Sequence, residues 1–220
     1  MHQARKLPDI SITAGDPFAA PGGGAMLEGL LLMLEHELDA RRVPWRENLN
    51  PGLESNEIGE QLAAVGLSCP EELEVLYRWR NGAVSDQSHV VLPGFHLAPL
   101  QLSINNSKEF WRVSQEFEGW ASLGSMYGAG LGWLTITVGS WGYAIECNEQ
   151  PGIPPRVRLT GHDFLGPLAV AQRSQARSLC TLVTLWIETI TSGGTSWNDE
   201  TQTWVDDLSR WPALRLEHRL

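Results

Sequence analysis

Positive charge is scarce in this chain: 16 Lys and Arg stand against 26 Asp and Glu, for a net charge of −10. That balance argues against a DNA or RNA backbone as the main partner, because such sites need a positive face. Long apolar runs are missing too. The most apolar stretch, Met26 to Leu34, is broken by Glu28 and Gly29 and falls far short of the roughly 20 residues a bilayer crossing needs. At the amino terminus His2, Arg5 and Lys6 are followed by Pro8, Asp9 and Asp16, so no apolar segment reads as a secretory signal. The expectation is a soluble, cytoplasmic chain with no membrane insertion. Cysteine is sparse: Cys69, Cys147 and Cys180 are three in all, without metal-ligand spacing and unable all to pair. They read as buried thiols of a reducing compartment.

Catalytic motifs are equally thin. Gly22-Gly23-Gly24 precedes a helix, but the Lys-Ser/Thr pair of a phosphate loop is absent, and a flexible linker explains it. Gly128 to Gly132 leads into a strand and not out of one into a helix, the reverse of a dinucleotide site. His36-Glu37 lacks the second histidine one turn on that a zinc protease needs, and His2, His89, His96, His162 and His218 are scattered. No Gly-x-Ser-x-Gly elbow offers a serine nucleophile. His162-Asp163 reads as two adjacent turn residues. No catalytic, cofactor or metal residue is therefore assigned, and a non-enzymatic protein is expected.

What the chain does contain is a clear order of punctuation. At 220 residues and 42% hydrophobic, it fits one domain with a full core. Residues 1 to 24, with Pro8, Pro17, Pro21 and the three glycines, read as a flexible lead, and residues 25 to 220 as a single domain. Leu27, Leu30, Leu31, Leu34 and Leu38 repeat at helical spacing, with Arg41-Arg42 expected in the last turn, where cations suit the helix dipole. Asn50-Pro51-Gly52 is turn chemistry, and Ile58, Leu62 and Val65 then fall on one helical face, predicting a helix over 53–65. Ser68-Cys69-Pro70-Glu71 reads as a capping box for a second helix with Leu73, Leu76 and Tyr77 inward. Asn81-Gly82 is expected to end that helix in a left-handed residue. Beyond it, 89–92, 95–102, 133–138, 141–147 and 156–160 are short β-rich runs, expected to form an antiparallel sheet. Leu179, Leu182, Val183, Trp186 and Ile190 return to helical period, predicting a long helix over the sheet. Helices, then strands, then a helix indicate an α+β fold, since a doubly wound sheet would alternate throughout.

Taken together, Pro51-Gly52, Pro70-Glu71-Glu72-Leu73 and Tyr77 to Gly82, with Gly193-Gly194, Trp197, Asp199, Trp204 and Asp207 in the tail, resemble the SUKH superfamily. This group comprises Smi/Knr-type fungal cell-wall regulators and bacterial toxin-immunity proteins. The resemblance spans about residues 45 to 208 and departs from the family pattern at Cys69 and at Val138-Gly139. It implies a SUKH-like single domain, an antiparallel sheet with helices packed on it. It further implies a bacterial immunity-type protein that binds and neutralises a cognate toxin domain, often a nuclease.

Charge is compatible with such a role. Seven Glu against three Arg lie between Trp45 and Gly82, and an acidic surface steers toward a basic partner. A solvated helical face is the plainer explanation of such a run. Ten tryptophans are far above the usual frequency. Trp79, Trp133 and Trp186 sit in periodic segments and are expected in the core, whereas Trp111, Trp120, Trp141, Trp197, Trp204 and Trp211 lie in or beside loops. There they either fold back and bury or anchor an interface. The candidate partner-binding residues are Glu54, Glu57 and Glu60, then Glu116 and Glu118 beside Trp120, then Asp199, Asp206 and Asp207 beside Trp197 and Trp204. Two alternatives stand beside the immunity reading: a regulatory or scaffold protein of the same superfamily in cell-envelope or cell-wall control, and a hydrolase or carbohydrate-binding protein using exposed tryptophans.

Overall fold

The computed structural model describes residues 22–84, 90–93, 95–116, 132–138, 141–147, 155, 157–161 and 178–210. It is a single-domain α+β fold of helices and small antiparallel sheets. Residues 1–21 of the expected lead, and with them most of that segment, lie outside the described residues.

Helix α1, Gly24–Ala40, buries Leu27, Leu30, Leu31, Leu34 and Leu38 along one stripe, as their spacing predicts. Arg41 stands one residue beyond the helix as its C-cap, not in the last turn. From there its guanidinium reaches the Glu37 carbonyl at 3.1 Å and the Ile190 carbonyl at 3.2 Å. A single turn, α2 at Trp45–Asn48, was not anticipated; it leads into the short strand β1, Leu49–Pro51. Helix α3, Ser55–Ala63, buries Ile58 and Leu62. Helix α4, Glu71–Trp79, buries Leu73, Leu76 and Tyr77 as expected, and also Glu72 and Val75.

The two ends of α4 differ from the sequence expectation. Pro70 is its N-cap and no side chain caps it; the Ser68 amide instead donates to the Cys147 carbonyl at 3.1 Å. Glu71, Glu72 and Glu74 crowd the first turn, so stabilisation of the helix dipole comes from charge and not from a hydroxyl. At the other end the helix stops at Trp79, and Arg80 is already extended with φ −152°. Asn81-Gly82 lies inside strand β2, Arg80–Ala83, paired antiparallel with β1. Gly82 keeps a left-handed φ of 70°, but its role is close approach: a Cβ there would stand 2.2 Å from the Pro99 nitrogen.

Of the run expected as a strand over 95–102, only β3, His96–Leu97, is extended, and within 89–92 the described residues hold just an isolated bridge from Leu92 to Phe95. At Leu100 the chain turns into helix α5, Leu100–Glu116. The Asn81 side chain accepts from the Leu100 amide at 2.9 Å, supplying from a distant strand the acceptor that a free helix N-terminus lacks. Leu100, Ser103, Ile104 and Ser107 are buried, which is a helical face in which two of the four positions are serines. Those hydroxyls are in use. Ser103 meets the buried Tyr77 hydroxyl at 2.8 Å, and Ser107 accepts from the Thr135 amide at 3.1 Å.

Strands β4, Trp133–Thr135, and β5, Thr137–Val138, divide the run predicted as one strand. β6, Trp141–Glu146, and β7, Val157–Gly161, complete an antiparallel sheet in the order β4-β6-β7, while β5 pairs with β3. Helix α6, Leu179–Thr191, begins with Ser178, whose hydroxyl accepts from the Thr181 amide at 3.1 Å. It is buried on nearly every side, the mark of a central helix. Among the described residues its principal neighbour is α1, with α4 and the tail also against it, and its buried side chains share one core cluster with Leu134, Ile145 and Val157 of the sheet. The tail forms a hairpin of β8, Thr195–Asn198, and β9, Thr203–Asp206, then a 3-10 turn at Leu208–Arg210.

Candidate functional site: an acidic helix, an acidic hairpin and a buried carboxylate

Glu54, Glu57 and Glu60 fall at intervals of three from the N-cap into α3, and all three are exposed, while Ile58 and Leu62 of the same helix are buried. Glu54 is the extended N-cap residue, and the Leu53 amide before it is pinned to the Tyr77 carbonyl at 2.9 Å. The helix is thereby held to α4 by its apolar face and by its entry. Glu57 accepts from Gln61 at 3.3 Å, and no cation pairs with any of the three among the described residues.

The hairpin gathers the second group. Trp197 and Trp204 face each other across the two strands, edge to face with ring centroids 5.4 Å apart. They are partly buried against the core and not free-standing anchors. Each Nε1 is shielded from solvent and finds no acceptor among the described residues. Asp199 and Glu200 stand exposed at the tip, where Asn198 accepts from the amides of Glu200 and Thr201 at 2.9 and 3.1 Å. Asp206 accepts from the Thr195 hydroxyl at 2.8 Å. Asp207 accepts from the Ser209 hydroxyl at 2.6 Å and meets Arg210 at 3.3 Å; the hydroxyl first, then the Ser209 amide and Arg210, hold its carboxyl below the usual range. Val205 and Leu208, 49% and 50% exposed, are the apolar side chains this segment leaves in solvent.

The third group is not brought into view. Glu116 closes α5, while Glu118 and Trp120 lie outside the described residues, as do His162-Asp163 and Trp211. Trp133 and Trp186 are buried as expected; Trp79 is half-buried, stacked on Trp45 at 5.9 Å and donating to Glu35 at 2.9 Å. Trp45 itself, 1% exposed, donates to Asp39 at 2.8 Å beneath the guanidiniums of Arg46 and Arg80.

No family model matches the chain, and no curated protein matches it.

The carboxylate that sequence reasoning missed is Glu72. It is 1% exposed. One oxygen accepts from the Gly23 amide at 2.7 Å and the other from the Leu179 amide at 2.7 Å, with the Cys180 thiol at 3.6 Å. One side chain of α4 thus satisfies the N-termini of both α1 and α6, where orphan amides and the helix dipole favour an anion. Burial pushes its carboxyl up, and the amides oppose that shift. Gly23 and Gly24, expected in a flexible linker, are here N-cap and first residue of α1, docked on Glu72 and Glu71. The Gly23 amide is consequently already engaged. The signal was present in the sequence: Glu72 lies four residues before Leu76 and next to Leu73, on the inward face of its helix.

A shallow groove of about 450 Å³ at the C-terminal end of α6 is lined by Glu188, Thr191, Ser192 and Arg210. Among the described residues, no three His, Cys, Asp or Glu side chains converge as metal ligands, and no helix is long and apolar enough to cross a membrane.

Proposed function

We propose that this chain is a non-enzymatic, cytoplasmic protein-binding domain of the SUKH type, an immunity-type protein that binds and neutralises a basic toxin domain. The observation that carries this reading is the contrast between its two kinds of carboxylate. Glu72 is buried and spent on the chain's own amides. Glu54, Glu57 and Glu60 sit in solvent at the N-cap and on the first two turns of α3 with no cation among the described residues beside them. A fixed row of unneutralised acids costs self-repulsion, and it serves a partner whose surface is basic. A nuclease is such a partner, because its nucleic-acid site is itself positive. Covering that site blocks activity without any chemistry by the chain that covers it.

The test is protection. The protein that co-purifies with this chain from its own host is expressed in a naive strain, alone and together with this chain. The proposal expects arrested growth in the first case and normal growth in the second. A co-purifying set made only of envelope or housekeeping proteins supports a scaffold of the same superfamily instead, and a harmless partner removes the immunity reading.

A further inference from the structure

The groove at the C-terminal end of α6 is built where two segments meet. Glu188, Thr191 and Ser192 come from the helix end and Arg210 from the 3-10 turn that follows the hairpin. That turn is tied back to the helix exit: the Asp207 amide donates to the Gly194 carbonyl at 2.8 Å, and the Arg210 amide to the Asp207 carbonyl at 3.1 Å. The guanidinium is brought close to α6, since a Cβ on Gly193 would stand 3.2 Å from Arg210 Nη1 and 3.7 Å from its Cδ.

Each polar group lining the groove keeps capacity for a ligand. Glu188 is half-buried, and among the described residues no donor or cation reaches its carboxylate. Burial pushes that carboxyl up, with nothing to oppose the shift. The Thr191 hydroxyl donates to the Ile187 carbonyl at 2.9 Å and the Ser192 hydroxyl to the Thr189 carbonyl at 3.2 Å. Their hydrogens are spent, so lone pairs are what they offer the groove. The end of α6 adds negative partial charge, with no basic residue in its last turn and Arg41 confined to the Ile190 carbonyl and to Glu37. The helix side of the groove therefore accepts hydrogen bonds and favours an ammonium. Arg210 supplies the opposite sign. Its Nε meets Asp207 at 3.3 Å, while Nη1 and Nη2 hold no hydrogen bond among the described residues, leaving two donors for a carboxylate. A simple cation is repelled by Arg210 and a simple anion by Glu188 and the helix end.

We infer that this groove binds a small zwitterion, a free amino acid whose ammonium sits on Glu188 and the Thr191 and Ser192 hydroxyls and whose carboxylate sits on Arg210. At about 450 Å³ the groove lies within the range of small-molecule sites, roughly 300–1,000 Å³. The site stands apart from the acids of α3 and does not depend on what that helix binds.

The experiment titrates the full chain with glycine, β-alanine, 4-aminobutyrate and 6-aminohexanoate, a series in which the two charges move apart. Binding is read by calorimetry, and its place by the amide signals of Thr191, Ser192 and Gly193 in nuclear magnetic resonance. The expected result is one-to-one, saturable binding of at least one member below about 10 mM, with those amides shifting. Butylamine and butyrate, each carrying one charge alone, should bind that site about tenfold more weakly or worse, and Glu188→Gln and Arg210→Gln should each weaken the zwitterion about tenfold or more. The inference is overturned if no member of the series binds, if butylamine or butyrate binds as well as the best zwitterion, or if the shifted amides lie elsewhere. The comparison of ligands on the wild-type chain decides the matter even where a variant does not fold.

Discussion

At the scale of single residues, Glu72 carries the most structural weight for its size. Its two oxygens serve two helix N-termini that are far apart in sequence, those of α1 and α6. Glu72→Ala leaves both buried amides without an acceptor, at roughly 1–3 kcal/mol each, partly offset by relief of the carboxylate's own desolvation. We expect a net loss of about 2–4 kcal/mol in chemical denaturation. The pH dependence has a defined sign. Burial raises the folded-state carboxyl above its unfolded value, so the native state binds the proton more tightly than the unfolded chain. Its contribution is therefore fully present below the unfolded value and is lost as pH rises through the folded one. Glu72→Gln does not titrate, so the stability gap between wild type and variant should narrow as pH rises from the ordinary carboxyl range. A gap that widens over that interval contradicts the assignment. Gly82 is the second critical residue. Gly82→Ala meets the Pro99 and Ala98 backbone at 2.2 and 2.3 Å while holding a φ of 70°. The expected loss is at least about 2 kcal/mol, combining left-handed strain with overlap against atoms that cannot swing aside, read as a lower thermal midpoint.

At the scale of elements, α5 shows how a helix can hide in a sequence. Its inward face runs Leu100, Ser103, Ile104, Ser107, and with two hydroxyls in four positions the apolar period breaks. What makes those serines good core residues is invisible locally: Tyr77 waits for one and the Thr135 amide for the other. Ser107→Ala should therefore cost about 1–3 kcal/mol, because it strands a buried strand amide and not because it removes volume. Asn81→Ala, which takes the acceptor from the Leu100 amide, should cost about 0.5–2 kcal/mol, with fraying confined to the start of α5 in hydrogen exchange. The helices α1, α3, α4 and α6 were legible because their apolar spacing is clean. Their boundaries were not, wherever a distant group sets them. Ser68 gives its amide to Cys147 instead of capping α4, and Asn81-Gly82 is drawn into a strand by pairing with β1. The acidic residues of α3 and the hairpin could be chosen from charge alone. That Trp197 and Trp204 lean on the core, leaving Val205 and Leu208 outward, depends on the hairpin's register and could not.

At the scale of the whole molecule, the interior and the surface divide the acidic residues between them. Helices α1, α4 and α6 meet at one buried carboxylate, which fixes the core on which α3 rests. The surface carboxylates of α3 contribute nothing comparable to stability, since they are exposed and no cation pairs with them among the described residues. Neutralising them should shift the thermal midpoint only slightly, because relief of their mutual repulsion is opposed by the loss of negative charge from the N-terminal turn of α3, while weakening attraction to a basic partner, an effect that added salt should imitate. The most direct measurement compares what tagged wild-type chain and the Glu54→Gln, Glu57→Gln, Glu60→Gln variant recover from the host at low salt. The account predicts one basic protein in near-equimolar amount on the wild type, strongly depleted on the comparably stable variant. Equal recovery on both, or no basic partner on either, would contradict it.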